Sequence, residues 1–258
     1  MPVASGLHYT LHEGGESSRP PVLLIHGEGG GQLSWPSELR RLPGYHIYTL
    51  DLPGHGKSTG PGLQSVTDYA HRVVDFLGAV GLRRAVLIGQ GMGAAIALSM
   101  ACDFPQTAIG LVLIAAGARL PIPSGVLENA SNPSTFPLAL QAWQAALFGP
   151  QAAAPLKDAA FGRLASVRPT LLHGDFIACG GFDLSGRLAE IRSPALVIYG
   201  TEDKFIPLQY AETLASAFPG AALQTVDGGG HLVALEQPRR VAGLVTIFLG
   251  TIPFVPGA

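Results

Sequence analysis

Short apolar segments alternate with longer segments of helical character along most of this chain. Seven short segments of five or six residues are rich in Val, Ile and Leu, and they span residues 7–12, 22–26, 46–51, 85–89, 110–115, 196–200 and 222–226. Helices are predicted between them over residues 66–80, 92–104, 208–218 and 238–249, with stop signals at Pro105, Pro219 and Gly220. Strands that are buried on both faces of a sheet are continuous apolar runs. The pattern therefore predicts a largely parallel sheet covered by helices on both faces.

The alternation stops over residues 117–191, which are rich in Ala, Leu, Phe and Pro and have helical character. A segment of this length between two sheet strands indicates an inserted helical lid. We therefore expect a core made of residues 1–116 and 192–258. An apolar lid face can cover a pocket, and ordinary packing inside a helical subdomain is the alternative. The candidate substrate-binding residues of the lid are its large apolar side chains at Phe136, Leu140, Trp143 and Phe148.

Composition narrows the classes of partner. The chain has 258 residues, 47% of them hydrophobic, and a formal net charge of -2 without any cluster of Lys and Arg. These values fit one α/β domain and exclude nucleic acid as a partner. No run of about 18 apolar residues and no signal-like start is present, so we expect a cytoplasmic monomer or homodimer without membrane contact. Cys102 and Cys179 are predicted to be free thiols, and neither a metal nor an organic cofactor is implied.

The segment 85–98 combines an apolar strand, a turn dense in glycine and a helix. This arrangement matches the G-x-S-x-G nucleophile elbow at every position except the central one. The flanking glycines let strand and helix approach closely, while the central residue projects over the sheet. The turn consists of Gly89, Gln90, Gly91, Met92 and Gly93.

Four other segments occur in the order expected of one fold, and with the elbow they make the chain resemble the α/β-hydrolase superfamily over nearly its whole length. The first resembles the loop that supplies an oxyanion-hole N–H, and the second the strand-end turn of that superfamily. The third resembles the loop of the triad acid, and the fourth the loop of the triad histidine. In chain order these segments are residues 26–31 (HGEGGG), 51–58 (DLPGHGKS), 200–203 (GTED) and 229–231 (GGH).

The resemblance implies an α/β-hydrolase fold, with an eight-stranded, mostly parallel sheet flanked by helices and a helical lid. It assigns the nucleophile position to Gly91, the triad acid to Asp203 and the base to His231. The backbone N–H groups of Glu28 and Met92 would form the oxyanion hole. The implied substrate is a small, largely apolar carboxylic ester or lactone. His55 and His173 have no comparable sequence context, and we expect both to be structural.

Gly91 removes the covalent step of such a site, and three interpretations remain open. The glycine is either a replacement made to trap a bound ester, a natural residue in a ligand-binding protein without turnover, or a natural residue in an enzyme whose His231 activates water directly. Removing a serine side chain leaves room for about one water molecule beside that imidazole. Each interpretation predicts very weak esterase activity for the chain as it stands.

Glu28 is a second departure from the expected pattern, because a carboxylate near a developing oxyanion opposes its charge. We expect the side chain of Glu28 to point away, so that only its N–H contributes. In the alternative arrangement the carboxyl group is an acid or a water-orienting group.

The glycine turn also fits a dinucleotide-binding fingerprint, with Gly89, Gly91 and Ala94 at the required spacing. That interpretation needs an acidic residue at the end of the next strand, whereas residues 112–117 read VLIAAG. It also leaves the loops of Asp203 and His231 without a role. We therefore favour the hydrolase interpretation.

Overall fold

The computed structural model describes residues 2–15, 18–217 and 220–254. Within them, eight strands form one sheet. The strands are β1 (Val3–Ala4), β2 (Leu7–Glu13), β3 (Val22–Ile25), β4 (His46–Leu50), β5 (Ala85–Gln90), β6 (Ala108–Ile114), β7 (Ala195–Gly200) and β8 (Ala221–Val226). Their order across the sheet is β1-β2-β4-β3-β5-β6-β7-β8. The first two pairings, β1 with β2 and β2 with β4, are antiparallel, and all others are parallel.

The helices connect these strands. They are α1 (Ser37–Arg40), α2 (Val66–Ala79), α3 (Met92–Asp103), α4 (Ser124–Ser131), α5 (Phe136–Leu147), α6 (Ala154–Ala165), α7 (Pro169–Gly180), α8 (Leu208–Ala217), α9 (Val233–Glu236) and α10 (Pro238–Thr251). Single 3-10 turns occupy Gln32–Ser34, Pro105–Thr107 and Leu188–Glu190. None of the helices in the described part of the chain is long and apolar enough to cross a membrane.

The predicted fold class is confirmed, because all seven predicted strands are present to within two residues at each end. Strands β3, β5 and β7 are buried along their whole length, which explains why their sequences are unbroken apolar runs. The strand that the pattern did not locate is β1, whose two residues pair at the sheet edge. The predicted helix end at Phe218 and the stop signal at Pro219 lie outside the described residues.

Two apolar clusters cover the two faces of the sheet. One includes buried side chains of α2, α3 and α8, such as Tyr69, Phe76 and Leu214. The other is formed with α1 and α10 and includes Leu39 and Val245. Helix α3 is buried over its first ten residues, because it packs between the sheet and the inserted helices.

Helices α4 to α7 form an insertion between β6 and β7, as the helical character of that segment predicted. Trp143 of α5 meets Phe176 of α7 edge to face, with ring centroids 5.1 Å apart. Helix α7 in turn contacts α3 and α4. The insertion therefore packs on the core at the carboxyl end of β5, where the elbow lies.

Candidate active site

The elbow has the geometry that its glycines predict. Gly91 connects β5 directly to α3 and has φ 54° and ψ -121°, a region that side-chain-bearing residues rarely adopt. A Cβ atom on Gly89 would overlap the backbone of Gly93, and one on Gly93 would overlap the carbonyl of Ile25. The close approach of strand and helix therefore requires glycine at both flanking positions.

The structure brings Asp203 and His231 together beside this turn. Asp203 follows β7 and His231 follows β8, so both lie at the carboxyl edge of the parallel strands. The imidazole Nδ1 lies 3.0 Å from Oδ2 of Asp203, and the two residues are only 2% and 8% exposed. The other carboxylate oxygen accepts hydrogen bonds from the N–H groups of Phe205 and Ile206, at 2.8 and 3.0 Å. Since Asp203 accepts the proton on Nδ1, the Nε2 atom of His231 is free to face the elbow.

The charge state of His231 is set by opposing effects. Burial disfavours the charged imidazolium, but the carboxylates of Asp203 and Glu28 outweigh burial and raise the pKa of His231 above its ordinary value. Glu236 adds a smaller effect in the same direction. The imidazole therefore holds a proton more readily than an isolated histidine does.

The expectation that the Glu28 side chain points away is wrong. The residue is 6% exposed, and its Oε2 lies 2.7 Å from the position that a Cβ atom on Gly91 would occupy. The same Cβ position lies 3.4 Å from Nε2 of His231. The physical reason is the missing side chain at position 91, which lets the carboxylate lie directly beside the elbow.

Cys179 of α7 contacts the other oxygen atom of that carboxylate. Its Sγ lies 3.2 Å from Oε1 of Glu28, and the thiol is fully buried. Burial and the adjacent carboxylate raise the pKa of Cys179 well above its ordinary value, so the thiol stays protonated and donates. The prediction of free cysteines is confirmed for both Cys102 and Cys179. No signal in the sequence paired Cys179 with Glu28, because the two residues are 151 positions apart.

The loop after β3 runs against the elbow. A Cβ atom on Gly27 would lie 2.9 Å from the carbonyl oxygen of Gln90 and 3.9 Å from the nitrogen of Met92. Neither the N–H of Glu28 nor that of Met92 donates a hydrogen bond within the described residues. Both donors are thus unused and close to the elbow, and their role as an oxyanion hole remains a prediction.

Asp175 of α7 fixes this loop, and sequence reasoning missed it. Its carboxylate is fully buried and accepts three hydrogen bonds of 2.8 Å, from the N–H of Gly29, Nε2 of His55 and the hydroxyl of Tyr69. Burial opposes the charged form of His55, but the Asp175 carboxylate outweighs it and raises the pKa of that imidazole. The cluster therefore connects the inserted helices to the residue that follows Glu28.

A cavity of about 70 Å³ opens between the elbow loops and the inserted helices. Of the four side chains expected to bind substrate, Trp143 lines the cavity and Phe136, Leu140 and Phe148 do not. Phe136 and Leu140 share a helix face with Trp143 but lie about two turns and about one turn before it in α5. Phe148 packs against Phe161 at a ring distance of 5.8 Å. The residues that line the cavity include Glu28, Trp35, Gln90, Trp143, Leu147, Ala160, Arg163, Leu164, His231 and Leu235.

A parallel sheet with a strand–turn–helix elbow facing a buried Asp–His pair defines the class of α/β hydrolases. The chain belongs to the alpha/beta hydrolase family, whose profile matches residues 22–244. It is 32% identical over 264 residues to the 2-hydroxymuconate semialdehyde hydrolase of Pseudomonas putida, covering 96% of this chain and 92% of that protein.

Solved structures give the same fold. A hydrolase from Pseudomonas aeruginosa PA01 superposes with a TM-score of 0.85 at 26% identity, covering 95% of this chain and 94% of that one. A thermophilic esterase from Thermogutta terrifontis superposes with a TM-score of 0.87, covering 96% and 94%. At 22% identity, the second likeness shows the fold alone.

Proposed function

We propose that this protein hydrolyses small carboxylic esters or lactones with largely apolar acyl groups. In our proposal, water attacks the substrate directly, His231 is an acid–base group, and Asp203 orients and stabilises its imidazole. The observation that carries the proposal is the placement of Nε2 of His231, which is 3.4 Å from the Cβ position of a residue that has no side chain. An oxygen atom in this space is within hydrogen-bonding reach of the imidazole.

A water molecule can take that place because the cavity is large enough and has polar groups beside the elbow. A site needs about 10–15 Å³ and two or more polar partners to hold one water molecule. The cavity volume of about 70 Å³ exceeds this requirement, and the imidazole and the Glu28 carboxylate provide the partners. The apolar groups around them, including Trp143, Leu147 and Leu164, suit a short hydrocarbon acyl chain.

Glycine at position 91 changes the kinetics that we expect. An acyl-enzyme cannot form there, so the reaction has no burst phase. General acid–base catalysis contributes about 10²–10⁴-fold, and an oxyanion hole with binding leaves about 10³–10⁴-fold over water in a triad enzyme that has lost its nucleophile. Turnover should therefore be slow but clearly above the uncatalysed rate.

The test is hydrolysis of p-nitrophenyl esters of two to eight acyl carbons and of γ- and δ-lactones. We expect steady turnover without a burst, reduced at least about a hundredfold in His231→Ala, with a smaller loss in Asp203→Asn. Arg240→Ala, which changes an exposed residue of α10, serves as the control. If the unaltered protein gives no turnover with any of these substrates, it is not an ester hydrolase. Its function is then ligand binding without turnover.

A further inference from the structure

The Glu28 carboxylate borders the position where an ester hydrolase of this fold holds its nucleophile. Its two oxygens have different surroundings. Oε1 accepts the hydrogen bond from Cys179, whereas Oε2 faces the bare Cα of Gly91. The arrangement fixes one oxygen and leaves the other directed at the space where water would attack.

A structural filler is a poor explanation for this side chain. Moving a carboxylate out of water costs several kcal/mol unless hydrogen bonds and an opposite charge compensate it. The thiol of Cys179 and the imidazole of His231 provide a donor and a cation, but an apolar residue could fill the same space without that cost. A role in proton transfer therefore explains a carboxylate beside this imidazole better than a role in packing does.

We propose that Glu28 is the general base of the reaction and that His231 is the general acid. The inference rests on the proposed function and assigns two separate proton transfers to the two side chains. Oε2 of Glu28 takes a proton from the attacking water, and the imidazolium N–H at Nε2 of His231 protonates the leaving group. Asp203 stabilises the imidazolium through Nδ1, at 3.0 Å.

The step balances without any further reactant. The water oxygen forms a bond to the carbonyl carbon, the carbonyl electron pair moves onto its oxygen, and one water proton goes to Glu28. The tetrahedral intermediate then expels the alkoxide as the carbonyl reforms, and His231 gives that alkoxide its proton. The product acid and alcohol leave, and the proton on Glu28 returns to His231 through water, which restores the starting state.

The proposal reverses the usual pH dependence of this fold. A histidine that acts as base must be neutral, so the rate would rise with pH through its pKa. Here His231 must be protonated and Glu28 ionised, so kcat/KM falls as pH rises through the pKa of His231. The titratable and charged groups around the pair also include Asp203 from the loop after β7, Cys179 and Asp175 from α7, Glu236 from α9 and Arg163 from α6.

The first experiment compares the pH profile of kcat/KM for the unaltered protein with that of Glu28→Gln, which keeps the shape but cannot take a proton. Its matched control is Glu236→Gln, because Glu236 also raises the pKa of His231 but does not line the cavity. We expect kcat/KM of the unaltered protein to fall as pH rises through the pKa of His231, and we expect Glu28→Gln to lose about 10²–10⁴-fold in kcat. The control should keep the same decrease at high pH.

The second experiment needs no turnover. NMR titration of the His231 ring should give a lower pKa in Glu28→Gln than in the unaltered protein, and a smaller decrease in Glu236→Gln. An unchanged pKa in Glu28→Gln would show that the carboxylate does not face the imidazole and would overturn the inference.

Other outcomes separate the inference from the function on which it rests. Turnover that Glu28→Gln leaves within threefold of the unaltered rate overturns the base role and leaves the proposed function standing. Absence of turnover in the unaltered protein overturns both. A single turnover in ¹⁸O-labelled water that places the heavy oxygen in Glu28, detected by mass spectrometry, would show that the carboxylate attacks the ester itself, and this too would refute a base role.

Discussion

Introducing a serine at position 91 should not by itself create an efficient esterase, because Glu28 lies too close to the new side chain. The Cβ atom of the new residue would lie 2.7 Å from Oε2 of Glu28, so the carboxylate must move for the side chain to fit. His231, by contrast, is well placed, since its Nε2 lies 3.4 Å from the same Cβ position. The matching variant is therefore the double substitution G91S/E28A.

The magnitudes follow from the two effects. Loss of the nucleophilic serine in a serine protease costs about a millionfold in kcat, so a fully functional serine would bring a gain of that order. A carboxylate about 4 Å from a developing oxyanion costs about 4 kcal/mol at an effective dielectric constant of about 20, which is about a thousandfold in rate. We expect G91S to gain at most about a thousandfold and G91S/E28A to gain about a thousandfold more.

The assay is p-nitrophenyl butyrate hydrolysis by the unaltered protein, G91S, E28A and G91S/E28A, analysed as a double-mutant cycle. E28A should lower kcat/KM in the protein with Gly91 and raise it in the G91S variant. A burst of p-nitrophenol should appear only in the two proteins that contain the serine.

The opposite effects of E28A on kcat/KM in the two backgrounds provide a direct test. Equal activity in G91S and G91S/E28A would mean that the carboxylate does not obstruct the site. An E28A effect of the same size and sign in both backgrounds would mean that positions 28 and 91 act independently, contrary to the contact between them.

Three further predictions concern stability and reactivity. G91S and G91A should each unfold about 2–6 °C lower than the unaltered protein, because a side chain at φ 54° costs about 1 kcal/mol or more; a serine variant that melts higher would contradict the strain. Asp175→Asn should lower the free energy of unfolding by about 3 kcal/mol, because it disrupts a fully buried carboxylate–imidazole pair. The raised pKa of His55 means that this pair stabilises the fold fully below about pH 6.5 and loses that effect as pH rises through the folded pKa, so urea unfolding at pH 6 and pH 9 should differ less in Asp175→Asn than in the unaltered protein. Iodoacetamide should modify Cys102 before Cys179, because Cys179 is completely buried and Cys102 is half-buried with its pKa raised to about 11 by burial; peptide mapping that finds Cys179 modified first would contradict the structure.

The fold could be predicted because its signals are local. The apolar strands, the glycines at 89 and 93 and the loops of Asp203 and His231 each require a particular residue type at a particular place in the chain. Their order along the sequence was sufficient to predict the parallel sheet and to bring the acid and the histidine to one edge. The two-residue strand β1 has too little sequence to carry such a signal.

The interior of the site could not be predicted, since it depends on contacts between distant segments. The direction of the Glu28 side chain is set by an empty position 63 residues later in the chain and by a thiol from α7. Asp175 looked like an ordinary polar residue of the inserted segment. Leu147 and Leu164 line the cavity instead of Phe136, because position along a helix axis decides which side chain reaches the elbow.

The attachment of Asp175 distinguishes α7 from the other inserted helices. Helix α7 holds the loop of Gly29 through this carboxylate, so it belongs to the catalytic frame as much as the sheet does. Helices α5 and α6 line the cavity with Trp143 and Leu164. A graft that exchanges α4 to α6 for those of a relative should transfer substrate preference, whereas one that also replaces α7 would dismantle the loop on which the chemistry depends.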